Sequence, residues 1–282
     1  MNYHHAFHAG GFADVFKHAV LCRILMHLRA KPAAFRVIDS HAGAGLYDLS
    51  GPEATRGGEW HAGIERLRGA RLDAETAALL APYLDTVAGL NGSGRLSLYP
   101  GSPALVRAWL RPQDRLIACE FEPKAAKALA GNLRGDARVK ALRIDGWTAL
   151  TAYVPPKERR GLLLVDPPFE QDGDFTRLWQ GLAVAHRKWA TGLFQLWYPI
   201  KGREQPDALA CRLKRSSIAR ILRAELAVGA TPAQGQLGGC GLIVVNPPWT
   251  LENELVTILP ELVKALGSRN SNYRLDWIAG EN

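Results

Sequence analysis

The sequence predicts an α/β fold with a mostly parallel, Rossmann-like sheet of seven strands. Nearly continuous apolar runs of strand length recur along the chain, as expected of strands that are buried on both faces. Helical stretches separate most of these runs, and strand–helix–strand alternation predicts right-handed crossovers between parallel strands. The first run passes directly into a loop of small residues, which is how many nucleotide-binding α/β units begin.

Apolar runs and the helical stretches between them give the predicted order of elements. The runs predicted as strands cover residues 35–39, 115–120, 139–145, 161–166, 191–198, 220–226 and 239–246. Before them, apolar residues at helical spacing predict a helix over 12–29, and Pro32 lies beyond its end. Another helix is predicted over 123–133.

One segment interrupts this alternation and is predicted to be a small helical insertion. The chain is divided into 1–45 (arm, first helix, first strand and glycine loop), 46–112 (the insertion) and 113–282 (the rest of the α/β domain). Helices are expected over about 59–70 and 73–89, with Pro82 inside the second. A lid, a substrate contact and a spacer are all open as its role.

Composition points to a globular protein with a polyanionic partner. The chain has 282 residues, is 47% hydrophobic and has a formal net charge of +8. Lys and Arg attract phosphates, so the surplus favours nucleic acid. Seven cations lie between Lys201 and Arg223: Lys201, Arg203, Arg212, Lys214, Arg215, Arg220 and Arg223. This stretch is either a solvated helix face or a surface that binds a nucleic-acid backbone.

The sequence also limits location and metal content. Four cysteines fit no zinc pattern and are interpreted as reduced core thiols. No apolar run reaches the roughly 18 to 20 residues that span a bilayer, and the N-terminus has no apolar signal core, so a soluble cytoplasmic protein is expected. No metal is predicted, because His4, His5 and His8 have no interleaved carboxylate or Cys.

Acidic residues end four of the predicted strands. They are Asp39, Glu120, Asp145 and Asp166. Ligands of open parallel sheets bind at the carboxyl ends of the strands. Acids at that edge suit a ligand with ribose hydroxyls and amines, and they suit a phosphate-rich ligand poorly. For any single acid, the alternative is a helix N-cap or a turn residue.

The loop Asp39-Ser-His41-Ala-Gly43-Ala-Gly45 is predicted to approach a ligand closely, because glycine allows positive φ and close backbone contact. A dinucleotide site prefers a third glycine and an acid about 20 residues further on. The next acid at a strand end is Glu120. The loop therefore disfavours pyrophosphate binding.

The turn Asp166-Pro167-Pro168-Phe169 follows an apolar strand and is the most informative motif. Its prolines remove two backbone donors, which leaves the Asp166 carboxylate and the Pro167 carbonyl as acceptors. Accepting both protons of an aromatic amine would direct its lone pair toward an electrophilic methyl group, and Phe169 offers a face for an extruded base. The motif therefore predicts methyl transfer to a base amine. The alternative is a rigid turn with no chemical role.

Further candidates lie at both ends of the chain. Asn246-Pro247-Pro248-Trp249 resembles the same motif, but it ends the last predicted strand, so strand order favours Asp166. Tyr3, His5 and Phe7 could form an aromatic arm over a base. Lys17 and His18 either meet the carboxylate of a cofactor's methionine part or belong to an ordinary polar helix face.

These motifs together resemble the RlmJ-type family of 23S ribosomal RNA adenine-N6 methyltransferases. The similarity rests on YHHAFHAGGFADVFKH, DSHAGAG, YPGSP, VDPPFE, LWYP and VVNPPW, in that order, over nearly the whole chain. It implies a class I S-adenosylmethionine-dependent methyltransferase fold with a small helical insertion. It also implies S-adenosyl-L-methionine as methyl donor and 23S ribosomal RNA as substrate. No obligate protein partner and a monomeric state are expected, because nothing in the sequence suggests a partner.

The resemblance implies roles for individual residues. Cofactor contacts are expected from Lys17, His18, His41, Ser102, Glu120, Asp145, Gly146 and Asp166. Asp166 is the expected catalytic acceptor, with Pro167 and Phe169 beside it, and Tyr3, His5 and Phe169 are expected near the target base. Two departures are Gly11, where Asn is expected, and Phe169, where Tyr is commoner.

Two other functions stay open from sequence alone. The acceptor could be adenine N6 in DNA or another base amine in RNA. A non-catalytic RNA-binding protein with a vestigial cofactor fold is the third possibility, although intact acids at four strand ends argue against it.

Overall fold

The computed structural model describes residues 4–92, 94–229 and 237–280 and shows eight strands in one mixed sheet. In spatial order they are β5 (Val139–Arg143), β4 (Arg115–Glu120), β1 (Arg36–Asp39), β6 (Gly161–Val165), β7 (Leu193–Ile200), β9 (Gly239–Val245), β8 (Ile221–Ala227) and β10 (Asn272–Ala279). The strands from β5 to β7 are parallel, whereas β9, β8 and β10 each run antiparallel to the preceding neighbour. All seven predicted strands are present, which confirms the predicted Rossmann-like α/β fold.

The eighth strand is an addition that the sequence analysis does not contain. β10 pairs with β8 at the edge of the sheet, and most of its residues are exposed or half-buried. An edge strand lacks the continuous apolar run by which the buried strands were found. β6 and β9, by contrast, are buried at every position because helices cover both faces of the sheet.

Ten α-helices surround the sheet in the described chain. They are α1 (Phe12–Arg29), α2 (Pro52–Gly57), α3 (Arg66–Gly69), α4 (Ala74–Asn91), α5 (Ser102–Trp109), α6 (Pro123–Asn132), α7 (Gly146–Ala152), α8 (Asp174–Lys188), α9 (Glu204–Lys214) and α10 (Leu251–Leu266). α1 has the predicted bounds and packs against α4, α5 and α10, which explains why most of its residues are buried. It begins after Gly11, where a Cβ would lie 3.0 Å from the His8 carbonyl.

The segment 46–112 is not wholly helical. β2 (Leu46–Asp48) and β3 (Leu98–Pro100) form a separate antiparallel pair. The helix expected over about 59–70 is interrupted, because Gly63 is non-helical and a Cβ there would lie 2.0 Å from the Gly10 carbonyl. α4 is continuous through Pro82 as predicted, whereas α5 packs on β1 and β4 as a crossover helix of the main sheet.

Two expectations on composition can be compared with this fold. Cys22, Cys119 and Cys240 are buried free thiols as expected, but the interpretation of Cys211 as a core residue was wrong, because α9 exposes it. Within the described residues, no helix is both long enough and apolar enough to span a membrane, and no cluster of His, Cys, Asp and Glu is suited to hold a metal ion.

Candidate active site

The four predicted acids meet at one edge of the sheet. Asp39 and Glu120 are the last residues of β1 and β4, while Asp166 directly follows β6 and Asp145 follows β5 by two residues. These four strands are parallel neighbours, so their carboxyl ends lie side by side. The edge therefore presents carboxylates from four separate loops.

The glycine loop fixes the orientation of Glu120. Gly43 has a φ of +60° and its N–H donates to Glu120 Oε2 at 2.8 Å, while the Glu122 N–H donates to Oε1 at 2.8 Å. A Cβ on Gly43 would lie 2.2 Å from the Tyr47 hydroxyl, so the loop requires glycine there. Glu120 is held rigidly, and each oxygen keeps a further lone pair for a ligand hydroxyl.

Asp39, which is buried, is hydrogen-bonded to the half-buried Ser102. Ser102 begins α5, and its hydroxyl donates to Asp39 Oδ2 at 2.7 Å. Asp39 Oδ1 is buried and has no hydrogen-bond partner among the described residues. Burial raises the pKa of Asp39 to about 7, although the Ser102 hydrogen bond opposes this shift.

His41 and Gly146 bring the glycine loop against the start of α7. His41 Nδ1 lies 2.8 Å from Ser40 Oγ, and the His41 ring meets Trp147 edge-on at a centroid distance of 5.1 Å. A Cβ on Gly146 would lie 2.3 Å from the Ser40 carbonyl oxygen and 2.5 Å from His41 Nε2. Burial lowers the pKa of His41 to about 4, so the imidazole is neutral at neutral pH.

Asp145 caps the helix that Gly146 begins. Its Oδ2 accepts hydrogen bonds from Thr148 N at 3.0 Å and from Thr148 Oγ1 at 3.1 Å. Asp145 is therefore a helix N-cap, which was the alternative considered for each acid at a strand end. The cap uses only Oδ2, which leaves Oδ1 at the same edge of the sheet.

Lys17 connects α1 to the Asp-Pro-Pro-Phe turn. Lys17 Nζ lies 2.5 Å from Asp166 Oδ2 and 2.7 Å from Asp14 Oδ1. The Gln195 side chain of β7 donates to the Lys17 carbonyl at 3.0 Å, which holds this turn of α1 against the sheet. Lys17 is buried, whereas the Asp166 side chain is 26% exposed and thus accessible to a ligand.

Asp14 is a site residue that the sequence analysis missed. Besides Lys17, it accepts from the Gly10 N–H at 2.9 Å and contacts His5 Nε2 at 3.1 Å. Burial alone would raise the pKa of Asp14, but His5 and Lys17 hold it well below its usual value. In sequence, Asp14 is an ordinary acid of a first helical turn; its spacing of three residues from Lys17 was the available signal.

The N-terminal arm is only partly described. His5 lies in a short 3₁₀ turn (His5–Phe7), contacts Asp14 and stands 5.0 Å from the Tyr47 ring. Asp14 therefore contacts both His5 and Lys17 and links the N-terminal arm to Lys17. Tyr3 lies outside the described residues.

Phe169 belongs to an aromatic cluster beside Asp166. Its ring centroid is 4.9 Å from that of Phe175 and 5.8 Å from that of Trp197. Asp174 holds the following turn by accepting the Glu170 and Gln171 N–H groups, both at 2.8 Å. Phe169 is half-buried, so part of its ring stays open to a planar ligand.

His18 is almost fully buried, whereas Phe121 is exposed. His18 is 1% exposed and lies behind Lys17 on α1, next to Tyr99. Phe121, which the sequence analysis did not select, follows Glu120 and is 60% exposed. An exposed aromatic ring directly after the acid of β4 offers a stacking surface for a planar ligand at this edge of the sheet.

The second motif, Asn246-Pro247-Pro248-Trp249, lies at the opposite edge of the sheet. β9 is antiparallel to β7, so Asn246 follows β9 at the edge where the parallel strands begin. Asn246 has a φ of +53°, and its amide donates to the carbonyls of Ala190 and Gly192, both at 2.8 Å. This motif is therefore remote from the four acids.

The basic stretch 201–223 is divided between structure and surface. Arg223 is 4% exposed and makes two hydrogen bonds to Asp276 at 2.8 and 2.7 Å. Arg203 contacts Glu225 and Asp207. The exposed cations in the stretch are Lys201, Arg203, Arg212, Lys214 and Arg215.

Comparisons with known proteins agree with one another. A family model described as "Ribosomal RNA large subunit methyltransferase D, RlmJ" matches residues 32–279. "Ribosomal RNA large subunit methyltransferase J" of Escherichia coli K12 is 38% identical over 282 residues, and that of Haemophilus influenzae is 37% identical over 283 residues, each covering 100% of both chains. The crystal structure of protein LPL1258 from Legionella pneumophila has a TM-score of 0.87, 31% identity, and coverage of 96% of this chain and 98% of that one.

Proposed function

The chain belongs to the RlmJ family of ribosomal RNA large subunit methyltransferases, and from this premise we propose that it methylates the N6 amine of an adenine in 23S ribosomal RNA. It is an S-adenosylmethionine-dependent enzyme. The observation that supports the proposed site best is the Lys17–Asp166 pair. It joins a buried ammonium to a partly exposed carboxylate in the Asp-Pro-Pro-Phe turn.

The residues at the carboxyl edge fit S-adenosylmethionine. Asp39 Oδ1 is a buried polar atom without a partner among the described residues, and Glu120 has lone pairs left for ribose hydroxyls. The proposed cofactor contacts are Lys17, His18, His41, Ser102, Glu120, Asp145, Gly146 and Asp166. When bound, the cofactor supplies a methyl group on a positively charged sulfur.

Asp166 and Pro167 are proposed to bind the reacting amine. Adenine N6 is a poor nucleophile because its lone pair is delocalised into the ring. Since Lys17 binds Asp166 Oδ2, Oδ1 is the oxygen available to accept one N6 proton, and the Pro167 carbonyl accepts the other. These two hydrogen bonds favour a tetrahedral nitrogen whose lone pair faces the methyl donor. After N6 has gained the methyl group, Asp166 takes the proton that the amine loses.

The remaining roles concern the substrate. Phe169 is proposed to stack on the extruded adenine, with Phe175 and Trp197 fixing its ring. His5 and Tyr3 are proposed to lie near the same base. Residues 46–112 are proposed to be a subdomain next to this site. We also propose that the enzyme acts as a monomer in the cytoplasm, where ribosomal RNA is its substrate.

The proposed function is tested by transfer of radiolabelled methyl to deproteinised 23S ribosomal RNA from cells that lack this protein. Wild type is compared with Asp166→Ala and Asp166→Asn, and Asp172→Ala is the control because it removes an exposed carboxylate nearby. We expect label in N6-methyladenosine for wild type and control. Both Asp166 variants should lose nearly all turnover while still binding S-adenosylmethionine. Undiminished methylation by these variants, or label in another nucleoside, would contradict the proposal.

A further inference from the structure

Three buried rings connect the inserted segment to His18 of α1. Tyr83 of α4 lies 2.9 Å from Tyr99 of β3, measured between hydroxyl oxygens. The Tyr99 hydroxyl lies 2.8 Å from His18 Nδ1, and the two rings stack with centroids 5.7 Å apart. The exposed fractions of Tyr83, Tyr99 and His18 are 0%, 0% and 1%. Their polar atoms therefore depend on one another for hydrogen bonds.

The direction of this hydrogen-bond chain follows from the number of donors. Burial lowers the pKa of His18 to about 3, so the ring is neutral and has a single N–H. If Tyr83 donates to Tyr99 and Tyr99 donates to His18 Nδ1, both hydroxyl hydrogens are used. If Nδ1 carries the ring proton instead and donates to Tyr99, one of the two hydroxyl hydrogens is left without an acceptor among the described residues, whichever tyrosine donates to the other.

The favoured direction determines what His18 offers to a ligand. With Nδ1 as the acceptor, the proton of the neutral ring is on Nε2. That atom is buried and has no hydrogen-bond partner among the described residues. Lys17, the preceding residue of α1, provides the positive charge of the site, whereas His18 provides an uncharged donor.

We infer that Tyr99, supported by Tyr83, is a positioning residue that holds His18 in the tautomer with Nε2–H directed to an acceptor on the cofactor, such as a carboxylate. This inference rests on the proposed function, because His18 is expected to contact the cofactor. It gives α4 of the inserted segment a part in cofactor binding, which differs from a lid, a substrate contact or a spacer.

The tautomer is tested first, by ¹⁵N NMR of the histidine-labelled full-length protein, with His18 assigned by comparison with His18→Gln. In wild type we expect a protonated Nε2 and an unprotonated Nδ1 throughout the neutral pH range. Tyr99→Phe should produce a mixture of tautomers, whereas Tyr83→Phe should keep the wild-type tautomer. A protonated Nδ1 in wild type would overturn the inference.

The second test measures S-adenosylmethionine affinity by calorimetry. Loss of one hydrogen bond corresponds to about a 3- to 10-fold weaker affinity for Tyr99→Phe, with a smaller effect for Tyr83→Phe. Trp109→Phe is the control, because it removes other hydrogen bonds to α4, from the indole to the Pro82 carbonyl and to the Thr86 hydroxyl.

A double-variant comparison separates positioning from general loss of structure. If Tyr99 acts through His18, the effect of Tyr99→Phe should disappear in a His18→Ala background. An undiminished effect in that background, or wild-type affinity in Tyr99→Phe, would contradict the inference. If wild type itself fails to bind S-adenosylmethionine, the proposed function fails, and the NMR result still decides the direction of the hydrogen-bond chain.

Discussion

Lys17 and Asp166 are 149 residues apart in sequence, yet Lys17 Nζ and Asp166 Oδ2 lie 2.5 Å apart. The contact joins the first long helix to the turn after β6, and Asp14 holds the other side of the same ammonium. Because Lys17 occupies Oδ2, Oδ1 is the oxygen of Asp166 that is proposed to bind the substrate amine. This relationship makes α1 part of the proposed catalytic centre.

Lys17→Met should therefore reduce turnover strongly. The variant removes the ammonium between two carboxylates, so Asp166 loses the partner that orients it. We expect kcat to fall about 100-fold, as when a preorganised electrostatic interaction is removed. Single-turnover methyl transfer measures this, with the exposed Lys127→Met as control. Wild-type turnover in Lys17→Met would show that the pair has no role in the reaction.

Asp39 should make stability fall as the pH rises. Its folded-state pKa of about 7 is above that of the unfolded chain, so the folded state holds its proton more tightly. The stability from this protonated group is fully present below the unfolded pKa and is lost as the pH rises toward 7. The Asp39→Asn variant stays neutral at every pH. Its free energy of unfolding, relative to that of wild type, should therefore rise by about 2 to 3 kcal/mol when the pH is raised from 5 to 8. Urea denaturation of both proteins at pH 5 and pH 8 measures this difference. An equal change in the free energy of unfolding of wild type and variant between the two pH values would refute it.

Gly146→Ala should disrupt the cofactor edge. Its Cβ would meet the Ser40 carbonyl and His41 Nε2, so the loop or the start of α7 has to move. We expect S-adenosylmethionine affinity to decrease at least about tenfold, which corresponds to about 1.4 kcal/mol. Gly131→Ala is the matched control because a Cβ there meets no atom within 4 Å. Equal affinities of the two variants for the cofactor would contradict this account.

The basic stretch should separate into RNA-binding and structural residues. Removing the exposed pair, Lys214→Ala with Arg215→Ala, should weaken RNA binding and reduce the slope of log K against log salt by about 0.7 for each phosphate that is no longer neutralised. Arg223→Ala should instead lower the free energy of unfolding by about 1 to 2 kcal/mol, because Asp276 loses two charge-assisted hydrogen bonds but is partly exposed and keeps its contact with Arg274. Filter binding at several salt concentrations and urea denaturation measure the two effects. A change in salt slope with Arg223→Ala alone would reverse this assignment.

Periodicity and motif order were sufficient for the central sheet. Strands buried on both faces, such as β6 and β9, have apolar runs that distinguish them from their surroundings. The acids at strand ends were also predictable, because parallel strands bring their carboxyl ends to one edge. The edge strand β10 could not be predicted in this way, because pairing with β8 determines its position and its own sequence has no continuous apolar run.

Contacts over long sequence distances account for what the sequence analysis missed. Asp14 and Tyr83 are ordinary helix residues until β3 and the N-terminal turn are folded against them. The kink at Gly63 likewise depends on the Gly10 carbonyl and not on a local signal. Local patterns contain little information about such tertiary contacts.

The order of α1 and its partner elements along the chain has a consequence for biosynthesis. Translation releases Lys17 early, but Asp166 and Gln195, which contact Lys17, follow far later. α1 also packs against α10, which ends at Leu266. The sequence order of these partners means that the contacts of Lys17 with Asp166 and Gln195 form only after Gln195 has left the ribosome, so the proposed site is assembled long after its first helix has been synthesised.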